Sequence, residues 1–189
     1  KKSPLKENEW NERLKGGRSL TRIAKSFLRF PHLSETYRRA EIQSRESSTD
    51  ASIFESVLET LGSRLEVSDE DLDRIPEEGP LLVVSNHPLG GLDGLALMSL
   101  ILKRRPDCKL LANSILEQFE AFRPSLFPVS ILGEENAPGK NIAALKGVFG
   151  WLRNGGCLVA FPAGEVSHWR WKTLSVSDGA WNPSVAAMA

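Results

Sequence analysis

The sequence predicts an α/β fold, with a mostly parallel sheet flanked by helices and an N-terminal helical segment. From residue 81 onward, apolar segments of four to six residues alternate with longer stretches of helical pattern. Such alternation is typical of a parallel sheet whose strands are connected by helices. The 189 residues suit a single domain. An apolar fraction of 41% and a charged fraction of 25% are ordinary for a globular protein.

The predicted elements of this sheet follow one another at short intervals. Strands are expected at 81–85, 109–112, 126–131 and 157–161, and helices at 92–103, 115–122 and 141–154. Pro128 weakens the third strand, because proline lacks the amide hydrogen that a central strand donates. Gly155 and Gly156 end the last helix.

The N-terminal part is predicted to be helical and basic. One helix starts at Ser19, and Phe30-Pro31 ends it. Its apolar face comprises Leu20, Ile23, Ala24, Phe27 and Leu28, and its basic face Arg22, Lys25 and Arg29. Such a helix either rests on a membrane interface or packs on the core. A second helix is expected over 50–65, with Asp50 as its N-cap. We therefore divide the chain into 1–75, a basic arm and helices packing on the core, and 76–189, an α/β core that we expect to be incomplete at its C-terminus.

Composition argues against several classes of protein. The formal net charge is +0, which does not favour a nucleic-acid partner. The two cysteines, Cys108 and Cys157, form no CxxC pair, so we interpret them as buried thiols in a reducing compartment. The three histidines show no ligand spacing, so no metal site is predicted. No apolar run approaches the about 20 residues of a membrane span, and no signal-peptide pattern is present.

Two polar segments follow predicted strands and are expected to form one site. SNHPLGGLDG (85–94) follows the strand at 81–85, and PAGEVSHW (162–169) follows the strand at 157–161. In parallel sheets, ligands bind beyond the carboxyl ends of the strands. Both segments are expected at that edge.

The first segment contains a histidine and an aspartate suited to proton transfer. The ordinary pKa of imidazole is close to neutral pH, so His87 suits the role of a general base. Asp93 is expected to hold one of its ring nitrogens if the chain curls back through Gly90 and Gly91. No Ser, Cys or Thr lies between them, so the pair would activate a substrate hydroxyl or amine directly. Two other interpretations stay open: a capping histidine with a first-turn acid, and a phosphate-binding loop built on the two glycines.

SNHPLGGLD resembles the first motif of the glycerolipid acyltransferase family, which acylates glycerol-3-phosphate and lysophosphatidic acid. FPAGEVS (161–167) resembles the third motif of that family, and the order and separation of the blocks agree. The similarity covers about residues 75–189 and is strongest to the branch labelled hemolysin, which includes O-acyltransferases of amino-acid lipids such as ornithine or glycine lipids. The resemblance implies that His87 takes the proton from an acceptor hydroxyl, which then attacks an acyl thioester, and that Asp93 orients His87.

The resemblance also implies the substrates and their binding residues. The expected substrate-binding residues are Asn86, Gly90, Gly91, Phe161, Pro162, Ala163, Gly164 and Glu165. No cofactor is implied, because acyl-CoA or acyl carrier protein serves as co-substrate. The implied partners are that donor, a lipid acceptor and a membrane surface, which the protein would bind peripherally at the inner, cytoplasmic face of the cytoplasmic membrane. Trp169-Arg170-Trp171-Lys172 suits such an interface, or else partly buried core aromatics.

Several positions depart from the family pattern. His87 and Asp93 are one residue further apart than in the wider family. Ala163 stands where the third motif has its glutamate, and Val166 where it has its arginine. A second motif with a phosphate-binding arginine is missing, since 127–141 offers only Lys140 as a cation. These departures favour a lyso-amino-acid lipid over lysophosphatidic acid, although Arg170 and Lys172 offer alternative cations. A non-catalytic lipid-binding protein and a thioesterase remain alternatives.

Overall fold

The computed structural model describes residues 33–46, 52–130, 137–171 and 174–188. Its centre is a four-stranded parallel sheet in the order β1-β4-β2-β3. The strands are β1 Leu81–Val84, β2 Lys109–Asn113, β3 Leu126–Val129 and β4 Cys157–Ala160. This sheet confirms the α/β prediction, and each strand lies within about two residues of its expected bounds.

Strand order explains why β3 tolerates Pro128. The register pairs Leu81 with Cys157 and Leu110 with Leu126, and places β3 at the edge of the sheet. An edge strand needs hydrogen bonds on one side only, so proline is acceptable there. By contrast, β4 lies between β1 and β2, and all of its residues are buried.

Helices cover the sheet. They are α1 Leu33–Glu46, α2 Ile53–Thr60, α3 Asp69–Asp73, α4 Gly91–Ile101, α5 Ala137–Arg153 and α6 Pro183–Ala186. Side chains from α1, α2 and α4 share one core cluster with Leu110 and Val159, whereas Val148 and Leu152 of α5 pack with Leu158 in another. Since neighbouring residues of a strand face opposite sides, the two clusters lie on opposite faces of the sheet.

A small ribbon follows the sheet. Strands β5 His168–Arg170 and β6 Ser175–Ser177 pair antiparallel, with Trp169 opposite Val176. These two strands were not predicted, since Trp169-Arg170-Trp171-Lys172 indicated only a membrane interface or partly buried core aromatics.

Three local predictions need correction. The expected helix at 115–122 is two 3₁₀ helices, Ser114–Gln118 and Glu120–Ser125, because Phe119 adopts an extended conformation between them and buries its ring. Helix α2 is capped by Ser52, whose hydroxyl accepts the Glu55 N–H at 3.3 Å, and not by Asp50. It ends at Thr60, not at residue 65, and the Ser63 N–H closes it by donating to the Leu58 carbonyl.

The structure describes only part of the predicted N-terminal segment. The basic helix from Ser19 lies outside the described residues. Helix α1 was not predicted, and its Tyr37 and Ala40 are buried in the core. Both cysteines are buried free thiols, as predicted. Among the described helices, none has the length and apolar character needed to cross a bilayer.

A buried arginine joins three segments at the amino-terminal edge of the sheet. The Arg105 side chain is 1% exposed and forms two hydrogen bonds to Asp107, at 2.8 and 2.9 Å. It also donates to the carbonyls of Pro76 at 3.3 Å and Gly155 at 2.8 Å. Asp107 in turn accepts the Cys157 N–H at 3.0 Å. The network therefore connects the segments that lead into β1, β2 and β4.

Replacing Arg105 with alanine is expected to lower the free energy of unfolding by about 3–5 kcal/mol, because two carbonyls and a carboxylate lose a buried cationic donor. Urea denaturation followed by circular dichroism measures this. The matched control is Arg74→Ala, which removes an exposed arginine paired with Glu70 and Asp71 and should cost less than about 1 kcal/mol. Equal losses in the two variants would contradict a structural role for the Arg105 network.

Candidate active site

His87 and Asp93 lie together where β1 ends and α4 begins. His87 Nδ1 lies 3.1 Å from Asp93 Oδ2, and the side chains are 14% and 12% exposed. The turn between them includes Gly90, whose φ of 67° lies in the left-handed region that glycine adopts without strain. The chain thus curls back at this turn. The two side chains meet although one more residue separates them than in the family pattern.

The same turn holds the carboxylate in place. Asp93 Oδ2 also accepts the Leu89 N–H at 2.8 Å, and the Asp93 N–H donates to the Gly90 carbonyl at 3.0 Å. The position of Asp93 is therefore fixed by its own loop, independently of its contact with the imidazole. With Nδ1–H donated to Asp93, Nε2 of His87 carries the lone pair that can accept a proton.

The segment after β4 meets this pair from the other side. The Phe161 ring stacks on the His87 ring, with 4.0 Å between centroids and 24° between planes. The Ser167 N–H donates to the His87 carbonyl at 2.9 Å. The two polar segments identified in the sequence therefore lie against each other.

Asp178 joins the site from the loop after β6. Its Oδ1 accepts the His87 N–H at 3.1 Å and the Ser167 hydroxyl, and its Oδ2 accepts Trp181 Nε1–H at 2.9 Å. Arg170 donates to its carbonyl at 2.6 Å. Asp178 could not be predicted from the sequence, because 91 residues separate it from His87 and no spacing pattern connects them.

Burial and charge oppose each other at the imidazole. Burial lowers the pKa of His87, and the carboxylates of Asp93 and Asp178 offset this only partly, so the pKa stays below its ordinary value. Burial raises the pKa of Asp178, but hydrogen bonds from Ser167, Trp181 and the His87 amide outweigh it and lower the pKa. His87 is therefore a neutral imidazole at pH 7, in the form that accepts a proton.

A cavity of about 640 Å³ opens beside the His87 ring. Most of its wall is apolar, and aromatic and aliphatic side chains from α1, α2, α4, β2 and the 3₁₀ segment line it. These include Tyr37, Phe54, Val57, Leu95, Leu110, Phe119 and Phe122. Among the described residues that line it, none is Lys or Arg, and Glu165 is its carboxylate. The wall suits a long apolar group with a small polar end.

The other predicted binding residues divide into two groups. Gly90, Gly91, Phe161, Gly164 and Glu165 line the cavity. Gly179 makes room for Glu165, since a Cβ at Gly179 would collide with Oε1 of Glu165.

Asn86, Pro162 and Ala163 do not line the cavity. Asn86 is exposed, and its carbonyl accepts the Ser85 hydroxyl at 2.9 Å. Pro162 is buried, and its carbonyl accepts the Asn182 N–H at 2.9 Å. In the described part of the chain, no group of three or more His, Cys, Asp or Glu side chains is arranged to hold a metal ion.

Comparison with known proteins gives the family. A family model described as acyltransferase matches residues 48–189. A lyso-glycine lipid O-acyltransferase of Phocaeicola vulgatus is 27% identical over 133 residues, covering 66% of this chain and 45% of that protein. A lyso-glycine lipid O-acyltransferase of Bacteroides thetaiotaomicron is 33% identical over 116 residues, covering 60% of this chain and 40% of that protein.

The chain spans less than half the length of these two relatives. No solved structure matches it. The family model covers most of the chain, including both polar segments, the ribbon and Asp178. The chain therefore belongs to the acyltransferase family.

Proposed function

We propose that the protein transfers a fatty acyl group from a thioester to the hydroxyl of a lyso-lipid. The observation that supports this most directly is the His87–Asp93 contact at the border of a large apolar cavity. A base held by a carboxylate suits deprotonation of an alcohol, and the apolar wall suits an acyl chain. The names of the two relatives, lyso-glycine lipid O-acyltransferase, agree with this chemistry.

The reaction needs one proton transfer in each direction. Nε2 of His87 takes the proton of the acceptor hydroxyl while its oxygen attacks the thioester carbonyl carbon. The imidazolium is stabilised by Asp93 at 3.1 Å. When the carbon–sulfur bond breaks, the proton passes from His87 to the leaving thiolate. The products are an ester and a free thiol, and the protein is unchanged.

The cavity wall supports an acceptor without phosphate. Phosphate is held in proteins mainly by arginine and lysine, and the described wall has neither. Glu165 contributes a carboxylate to the wall of the same cavity, which would repel a phosphomonoester. We therefore propose a lyso-amino-acid lipid, such as lyso-glycine lipid, in preference to lysophosphatidic acid. The donor is either acyl-CoA or acyl carrier protein.

The test is a thiol-release assay with product mass spectrometry. Purified protein is mixed with acyl-CoA or acyl carrier protein, with or without lyso-glycine lipid. Thiol release and a diacylated product should appear only when the acceptor is present. Release without acceptor would instead support a thioesterase, and no release with either donor a non-catalytic lipid-binding protein. Faster acylation of lysophosphatidic acid would contradict the proposed acceptor class.

We also propose that the protein binds peripherally to the inner, cytoplasmic face of the cytoplasmic membrane, through the β5–β6 ribbon. Trp169 lies on β5 opposite Val176, and its ring packs edge-on against the ring of Trp171, the residue after the strand, with 6.1 Å between centroids. The side chains of Trp169, Trp171 and Val176 are 48%, 82% and 56% exposed, respectively. Tryptophan is enriched at membrane–water interfaces, where an apolar ring and a polar N–H are both accommodated. Through Ser167 and Asp178, the ribbon is connected directly to the loop of His87.

Replacing Trp169 and Trp171 together with alanine is expected to weaken vesicle binding about tenfold or more, because each large apolar side chain contributes up to about 1.5–3 kcal/mol when buried. Co-sedimentation with anionic phospholipid vesicles measures the partition. Ile142→Ala is the matched control, since Ile142 is an exposed apolar residue of α5. Unchanged binding of the double variant would rule out the ribbon as the membrane contact.

A further inference from the structure

The main chain of His87 is held at both of its polar groups. Its N–H donates to Asp178 Oδ1 at 3.1 Å, and its carbonyl accepts the Ser167 N–H at 2.9 Å. The Ser167 hydroxyl donates to the same Asp178 oxygen. The Asp178 carboxylate therefore accepts the His87 N–H directly. It also orients Ser167, whose N–H donates to the His87 carbonyl. The ring contacts with Asp93 and Phe161 depend on where this main chain lies.

Asp178 is itself fixed. Its second oxygen accepts Trp181 Nε1–H at 2.9 Å, and its carbonyl accepts Arg170 Nη2–H at 2.6 Å. Both carboxylate oxygens are used, and the residue connects β5, the loop after β6 and the loop after β1. A group held by this many partners has little freedom to move, and a proton acceptor requires such rigid support.

We propose that Asp178 is a positioning residue for the reaction of His87: it fixes the histidine main chain and places a negative charge 3.1 Å from the His87 amide nitrogen. This inference rests on the proposed acyl transfer for its catalytic meaning. During turnover His87 becomes an imidazolium, and a second carboxylate near it stabilises that cation alongside Asp93.

The charged groups around the imidazole are few among the described residues. Asp93 contacts the ring from α4, Asp178 contacts the main chain from the loop after β6, and Glu165 borders the same cavity. Arg170 of β5 donates to the Asp178 carbonyl. Removing the Asp178 charge therefore leaves Asp93 as the close ion partner of His87.

The test variant is Asp178→Asn, which keeps the side-chain shape but removes the charge and one accepting oxygen. We expect kcat to fall about 10- to 100-fold with little change in KM, because the ring is displaced while the cavity is intact. The acid limb of kcat/KM should move to lower pH, since His87 loses a group that raises its pKa. The control is Glu120→Gln, which makes an equal charge change at an exposed site and should leave kcat and the acid limb unchanged.

A second variant separates charge from position. Asp178→Glu keeps the charge but moves the oxygens by one methylene, so kcat should fall while the acid limb stays near that of the wild type. It also keeps the test usable if Asp178→Asn does not fold. Wild-type kcat in both variants would overturn the inference.

Imidazole NMR gives a readout that needs no substrate. The protein has three histidines, so His87→Ala identifies the resonance of His87. The pKa of His87 should lie below its ordinary value in the wild type and fall further in Asp178→Asn. An unchanged titration would overturn the inference even if acyl transfer is demonstrated. A shifted titration in a protein without acceptor-dependent thiol release would instead refute the proposed function alone.

Discussion

Replacing His87 with alanine is expected to lower acceptor-dependent thiol release by about 10²- to 10⁴-fold, which is the usual contribution of a general base. The reason is that, among the described residues that line the cavity, His87 is the one histidine, and none is Asp, Cys, Lys or Arg. Initial rates at saturating donor and acceptor measure the loss.

The fold should survive this change. His87 lies in the loop at the border of the cavity, and Asp93 keeps its hydrogen bond from the Leu89 N–H. Circular dichroism and thermal unfolding check this. His168→Ala is the matched control, because His168 is exposed on β5 and contacts neither Asp93 nor the cavity. Retained activity in a folded His87→Ala protein would remove the dyad from the mechanism.

Replacing Asp93 with asparagine is expected to lower kcat by about 10²- to 10⁴-fold while changing KM little. Asp93 Oδ2 contacts both the Leu89 N–H, at 2.8 Å, and His87 Nδ1, at 3.1 Å. An asparagine carbonyl at that place keeps both hydrogen bonds but not the charge that stabilises the imidazolium. An asparagine turned over would place its NH2 group there instead, which loses the Leu89 hydrogen bond and favours the His87 tautomer that cannot take a proton at Nε2. Rates measured from pH 5 to 9 separate this effect from a simple shift of the pKa.

This variant also separates the catalytic interpretation of Asp93 from the capping one. If Asp93 served only as a first-turn acid, its loss would cost about 0.3–1 kcal/mol of stability and leave the rate intact. Asp69→Asn removes an exposed first-turn acid of α3 and is the control for that effect. A folded Asp93→Asn protein with an unchanged rate would support capping and contradict the dyad.

Elements with strong local signals were predicted well. LLVV of β1 and CLVA of β4 are unbroken apolar segments, and both are strands of the parallel sheet. The apolar character of β4 follows from burial on both faces, whereas β1 is an edge strand, half-buried except for the exposed Val84. The 126–131 strand was expected despite Pro128, and its position at the sheet edge explains why.

Elements that depend on packing were predicted poorly. Helix α1 has few apolar residues, so its sequence gives no clear amphipathic pattern. It is anchored to the core by the buried Tyr37, whose ring lies 4.6 and 5.3 Å from those of Phe119 and Phe122. The 115–122 segment has a helical composition, yet the burial of Phe119 divides it into two 3₁₀ helices. Local propensity is weak compared with the burial of a large aromatic ring.

The candidate site divides in the same way. His87, Asp93 and the glycines between them are close in the chain, so residue type and spacing allowed a contact, the family resemblance favoured it, and the structure places it at 3.1 Å. The stacking of Phe161, the hydrogen bonds of Asp178 and the aromatic wall of the cavity join residues that are far apart in the chain. Contacts that form only when strands and loops assemble produce no periodic pattern in the sequence. Only the tertiary structure therefore shows which of these side chains lie next to the imidazole.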